Sequence, residues 1–228
     1  MESRYSYYND NLSGERLKHA YEIAPARVKR YLKAEVDHVL ECVGPGDAVL
    51  ELGCGYGRII GRLAAKAGVV VGIDTSLGSI FLGKQELAGL SNCGLVCMNG
   101  AHLGFRNRVF DCVVCIQNGI SAFHVDKLRL VAEAVRVTRR GGTTLFSTYS
   151  ERFWDDRLEW FRLQAEAGLV GEIDYQKTGD GTIVCRDGFT ATTVRPDEFH
   201  RLTREIAADV HLVEVDASSL FCEITAHS

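Results

Sequence analysis

The chain has 228 residues, 46% of them apolar and 25% charged, which is ordinary for a globular α/β domain. Twenty-six basic against thirty acidic residues leave a formal net charge of −4, without the basic footprint of an autonomous nucleic-acid binder. No run approaches the ~20 apolar residues of a membrane span, and the polar start "MESRYSYYNDN" lacks the layout of a secretory signal, so a cytoplasmic protein is expected.

Residues 13–22 and 25–43 read as helices. The second opens on Pro25 and carries Val28, Leu32, Val36, Val39, Leu40 and Val43 at helical spacing. The first 44 residues hold seven Lys/Arg and seven Asp/Glu, a solvated helix face rather than a basic patch. "AVLEL" (48–52) is a short buried strand, and a glycine loop then opens a helix through about Lys66. Strands follow at "VVVGID" (69–74), "GLVCMN" (94–99), "FDCVVCIQ" (110–117) and 141–150. Helices at 76–90 and 124–139 separate them, the latter ending in a basic "RVTRR" suited to its C-terminal dipole.

This alternation predicts a doubly wound, mostly parallel sheet of seven strands with helices on both faces. After a helix at 151–168, "RDG" between β-prone runs predicts a β-hairpin insertion at 182–194. A helix led by Pro196 precedes "VHLVEVD" and "SLFCEITA". The short "VDASS" link forces the last strand antiparallel. Residues 1–44 are expected to form a helical lid segment and 45–228 the main domain.

Eight cysteines invite a metal or disulfide reading. Most fall in predicted strands, where Cys112 and Cys115, three apart, point to opposite faces. They read as small core hydrophobes in a reducing compartment, and no metal is expected.

The chemistry starts in "VLELGCGYGRI". Gly53, Gly55 and Gly57 follow a strand and open a helix. Arg58 stands where the dinucleotide fingerprint needs its third glycine, and no Gly-Lys-Ser/Thr follows for a phosphate loop. Two acids remain. Asp74, at the tip of the second strand, is placed to accept hydrogen bonds from both ribose hydroxyls of an adenosine. Glu51 beneath the loop suits an ammonium and repels a phosphate. A cationic, phosphate-free adenosine is S-adenosylmethionine, whose carboxylate would meet the amides at the helix start.

"ELGCGYG" followed by "GIDTS" resembles the motif pair of the class I, Rossmann-like S-adenosylmethionine-dependent methyltransferases, and the reversed last strand is that family's sheet feature. The resemblance implies that Glu51, Gly53, Cys54, Gly55 and Gly57 line the methionine end, Asp74 the ribose, and Thr75 and Ser76 the adenosine. Gly100 and Ala101 stand where the family often has an Asp-Ala pair against the adenine; Asn99 or the Ala101 backbone is the substitute. Gln117, Asn118 and Gly119 fall near the reactive methyl.

Methyl transfer needs alignment and water exclusion, and a base only for an acceptor protonated at pH 7. His124, expected to head the following helix, is the candidate base. Tyr5, Tyr7 and Tyr8 are candidates for the lid, and Tyr149, Phe153 and Trp154 for the acceptor wall; the substrate-binding set is Tyr5, Tyr8, Tyr149 and Trp154. Trp160 and Phe161 read as core. The signature of base and amide N-methyltransferases is absent from "QNGISAFHVD". Aromatic walls without a basic surface favour a small-molecule N, O or S acceptor, with no nucleic acid and no membrane as partners. Methylation of a protein or RNA, and non-catalytic cofactor binding, stay open.

Overall fold

The computed structural model describes Tyr7 and residues 11–227. Two amphipathic helices lead, α1 (Glu15–Glu22) and α2 (Ala26–Cys42). Then come β1 (Ala48–Leu52), α3 (Ile60–Ala64), β2 (Val69–Asp74), α4 (Leu77–Glu86), β3 (Cys93–Cys97) and β4 (Phe110–Cys115). Next are α5 (Gly119–Ala122), α6 (Lys127–Val137), β5 (Thr138–Tyr149) and α7 (Trp154–Glu166), the last preceded by a 3₁₀ turn at Glu151–Phe153. The chain closes with β6 (Ile183–Val184), β7 (Thr190–Ala191), α8 (Pro196–Thr203), β8 (Ala208–Val215) and β9 (Ser219–Ala226).

Seven strands form one sheet in the order β3-β2-β1-β4-β5-β9-β8. The pairs from β3 to β5 are parallel, and β9 runs antiparallel to both β5 and β8. The sheet reverses direction of winding between β1 and β4, which opens the crevice at the C-terminal ends of those strands. β6 and β7 pair as the expected separate hairpin.

Side chains alternate across the sheet and build two cores. On one face Val49, Val70 and Cys112 pack under Val36 and Val39 of α2, Ile60 and Leu63 of α3, and Ile80 of α4. On the other Leu50, Val113 and Cys115 meet Leu130 and Ala134 of α6 and Phe199 of α8. Cys112 and Cys115 therefore lie on opposite faces and do not share an ion.

Two differences from the sequence reading bear on the argument. Thr138, Arg139 and Arg140 belong to β5 rather than to the end of a helix. α6 stops at Val137, and Arg139 reaches across to Asp111 of β4 at 2.6 Å. The register shift between Phe110 and Cys112 absorbs the extra residues of β5. His124 does not head α6 either: Asp126 caps that helix, accepting from the amides of Leu128 and Arg129, and His124 sits before it with φ 49°. Among the described residues, no helix is long and apolar enough to cross a membrane.

Candidate active site

The amides of Gly53 and Cys54 donate to the Ile73 carbonyl at 2.8 and 2.9 Å, which ties the glycine loop to the end of β2. Gly53, Gly55 and Gly57 all adopt left-handed backbone, with φ of 76°, 53° and 78°. That conformation strains any residue with a Cβ. The tight approaches around the loop come from the protein's own side chains. A Cβ on Gly55 would lie 2.9 Å from Leu17 of α1, and one on Gly57 would lie 2.7 Å from Leu87 beyond α4. Gly53 and Gly55 line a cleft at the C-terminal edge of the sheet, whereas Gly57 does not. The third glycine serves helix packing.

Asp74 ends β2 and lines this cleft. Its carboxylate accepts from Gly55 N–H at 2.9 Å and from Ser76 N–H at 2.8 Å, so one side chain shapes the glycine loop and the start of α4 together. The helix cap falls to Ser76, which accepts from Ser79 N–H at 3.1 Å. Asp74 is therefore not the cap. Burial raises its carboxyl, against the lowering effect of the Ser76, Gly55 and Thr75 amides. Glu51 lies in β1 under the same cleft. Burial pushes its carboxyl up to about 8; the charge of Arg58 opposes the rise and that of Asp74 adds to it. Burial also pushes the Cys54 thiol well up, which leaves it unreactive.

Away from the glycine loop the walls turn aromatic: Tyr21 of α1, Tyr149 at the tip of β5, and Trp160 and Phe161 of α7. Trp160 donates to the Ala20 carbonyl at 2.9 Å, joining α7 to α1 across the cleft. Arg58 reaches back over the Tyr21 ring, 4.5 Å from its centroid. The Tyr21 hydroxyl donates to Gln117 Oε1 at 3.3 Å.

Among the sequence candidates, Glu51, Gly53, Cys54, Gly55, Asp74, Thr75, Ser76, Gln117, Gly119, His124 and Tyr149 all line the cleft. Gly57, Gly100, Ala101, Asn118 and Trp154 do not. At Ala101 the amide is held by Asn99 Oδ1 and the carbonyl by Arg129, so both substitutes for the missing aspartate already have partners within the protein. The Asn118 carboxamide turns into the body of the protein, accepting from Thr148 and donating to the Thr192 carbonyl, both at 2.8 Å. Trp154 packs with the hairpin cluster, and Phe153 is fully buried beside Tyr31. Tyr5 and Tyr8 lie outside the described residues. Tyr7 packs its ring 4.9 Å from Phe189 and donates to Asp187 of the hairpin.

The sequence reading missed Ser13, Leu17, Tyr21, Arg58, Trp160 and Phe161 as cleft residues. Arg58 carried the one available signal, being adjacent to the loop, but was weighed only as an absent glycine. Three buried polar atoms at the cleft residues have no protein partner: Glu51 Oε2, Arg58 Nη2 and Gln117 Nε2. Buried polar atoms without partners await a polar ligand or water. The Glu51 acceptor and the Arg58 donor match the ammonium and carboxylate of an amino acid, and Asp74 stands at the nucleoside end, so the set fits S-adenosylmethionine; Gln117 Nε2 remains as a further donor in the cleft.

Comparison with known proteins agrees. Residues 49–142 match the family model described as "Methyltransferase domain". Those residues belong to the class I S-adenosylmethionine-dependent methyltransferases. Among curated relatives, a demethylmenaquinone methyltransferase of Corynebacterium urealyticum is 32% identical over 108 residues, 47% of this chain and 44% of that protein. A ribosomal RNA small subunit methyltransferase A of Moorella thermoacetica is 38% identical over 67 residues, 29% of this chain and 23% of that protein. The chain thus spans less than half the length of either relative. The magnesium protoporphyrin IX methyltransferase of Synechocystis PCC 6803, solved with bound SAH, shares the fold at a TM-score of 0.65 and 16% identity, with 97% of each chain covered.

Proposed function

We propose that this chain is a methyltransferase that uses S-adenosylmethionine to methylate a small molecule bearing a planar, largely apolar group. The observation that carries the reading is the junction, within one cleft, of the Glu51–Arg58–Asp74 set with walls made by Tyr21, Tyr149, Trp160 and Phe161. In this reading Glu51 takes the ammonium of the cofactor, Arg58 its carboxylate, and Asp74 the ribose hydroxyls; Thr75 and Ser76 flank the adenosine. When bound, the cofactor supplies an electrophilic methyl on a sulfonium. The protein then contributes orientation and exclusion of water, which in a direct displacement carry much of the rate.

The described part of residues 1–44 supports a lid role for that segment. Gly14 N–H donates to Ser79 Oγ at 3.0 Å, Lys18 pairs with Glu86 at 2.7 Å, and Leu17 and Tyr21 face the loop. His124 is the candidate base, needed only for an acceptor that arrives protonated. The demethylmenaquinone methyltransferase relative favours a quinone-like acceptor, beside the N, O and S acceptors that the sequence leaves open. A cytoplasmic location belongs to this reading.

The ribosomal RNA relative supports a second reading, methylation of RNA. One experiment separates them: incubation of the protein and isotopically methyl-labelled S-adenosylmethionine with cell extract, followed by fractionation. Label in small products is the expected result. Label in RNA or protein moves the acceptor to a macromolecule, and a protein that binds the cofactor but labels nothing contradicts catalysis.

A further inference from the structure

The inward stripe of α2 runs Val28, Tyr31, Leu32, Glu35, Val36 and Val39, all buried, and Glu35 is 0% exposed. Burial pushes its carboxyl up to about 7, against the lowering influence of the Ser219 and Ser147 hydroxyls, the Gln117 amide and the charge of Arg58. A carboxyl in such a stripe is destabilising where an apolar residue would pack as well. Among the described residues, no cation is paired with it by direct contact. Its presence calls for a local reason.

That reason lies at the end of β4. Gln117 and Asn118 are consecutive non-glycine residues in left-handed backbone, with φ of 57° and 61°. Each costs about 1–2 kcal/mol and persists only where its surroundings impose it. The turn sends two neighbouring side chains in opposite ways: Gln117 lines the cleft and Asn118 enters the protein body. Asn118 is fixed through its own carboxamide, by Thr148 and Thr192. Gln117 is fixed chiefly through its backbone, its Oε1 also accepting from the Tyr21 hydroxyl at 3.3 Å. Its N–H donates to Glu35 Oε2 at 2.7 Å and to Ser147 Oγ at 2.8 Å, and its side-chain Nε2 is left without a partner.

We propose that Glu35 is a positioning residue for methyl transfer, which holds the Gln117 turn from behind so that the Gln117 carboxamide is presented to the acceptor. This rests on the methyltransferase reading above. Glu35 itself does not line the cleft and touches no reactant. Tyr31 on its own helix, Tyr21 from α1, Arg58 from the glycine loop, Cys115 from β4 and Tyr149 from β5 all face its charge. The carboxylate accepts the Gln117 N–H more strongly than the neutral acid does. The hold is therefore firm above about pH 7 and slackens as Glu35 takes up a proton.

The test combines spectroscopy with transfer. In the ¹⁵N-labelled native protein the Gln117 amide signal should titrate with a midpoint near 7, and in Glu35→Gln it should not. Transfer of labelled methyl into small molecules of a cell extract should fall about 10²-fold in Glu35→Ala, the scale of a misplaced site group. Glu35→Gln, which keeps an acceptor oxygen, should restore most of the transfer, and both variants should still bind S-adenosylmethionine by calorimetry. A Gln117 amide indifferent to pH, or undiminished transfer by Glu35→Ala, overturns the proposal. A native protein that binds the cofactor but labels nothing overturns the methyltransferase reading instead, and the amide titration then decides whether Glu35 holds the turn.

Discussion

Burial lifts the Glu51 carboxyl to about 8, which favours its protonated form at neutral pH before the cofactor enters. An ammonium in the cleft requires the carboxylate. Cofactor binding should therefore release close to one proton per site near pH 7, and affinity should climb as pH rises toward 8. Above about 8 the α-amino group of the cofactor loses its own proton, so affinity turns down again. Calorimetry in buffers of different ionisation heat counts the released proton. In Glu51→Gln the acid limb of the profile should flatten; an unchanged limb would move the ammonium contact elsewhere. Glu51 and Asp74 were legible in the sequence because strand ends fix where they stand relative to the loop. Arg58 and Tyr21 were not, because each owes its place to α1 folding back over the loop, a contact between segments far apart in the chain. Trp160 and Phe161 read as core in the sequence. They are buried, and they also wall the cleft, because that cleft is covered by α1 and α7.

At the scale of elements, the strands were readable from continuous apolar runs, and the antiparallel β9 from the shortness of its link to β8. The turn containing α5 was not readable. Gln117, Asn118 and His124 adopt left-handed backbone that nothing in their residue types requires, and tertiary partners impose it. The β5 start was lost for a related reason. "RVTRR" has a helix-like charge pattern, and the pairing of Arg139 with Asp111 outweighs it. The glycine loop divides by the same logic. Gly57 meets Leu87 and not the cleft, so Gly57→Ala should lower stability by about 1–3 kcal/mol, from left-handed strain and the overlap. Its cofactor affinity at a temperature where the variant is folded should stay near native. A thermal melt paired with a binding isotherm checks both; lost affinity with an unchanged melt would return Gly57 to the binding surface.

Across the whole molecule, the sheet places its switch of direction between β1 and β4, and the cleft opens there. Glu51, Asp74, Gln117 and Tyr149 reach it from β1, β2, and the ends of β4 and β5, while α1 and α7 cover it from above. The cofactor half rests on strand ends and was largely visible from one sequence. The acceptor half rests on α1, α7 and the turn after β4, whose mutual arrangement is set by long-range packing.

The most direct test of the central claim is a calorimetric titration of S-adenosylmethionine into the native protein and into Asp74→Ala, each first shown to be folded by its melt. The account predicts one cofactor per chain in the native protein. It predicts affinity about 10²-fold weaker in the variant, the scale of two hydrogen bonds to a charged group. No binding by the native protein, or equal affinity in the variant, would contradict it.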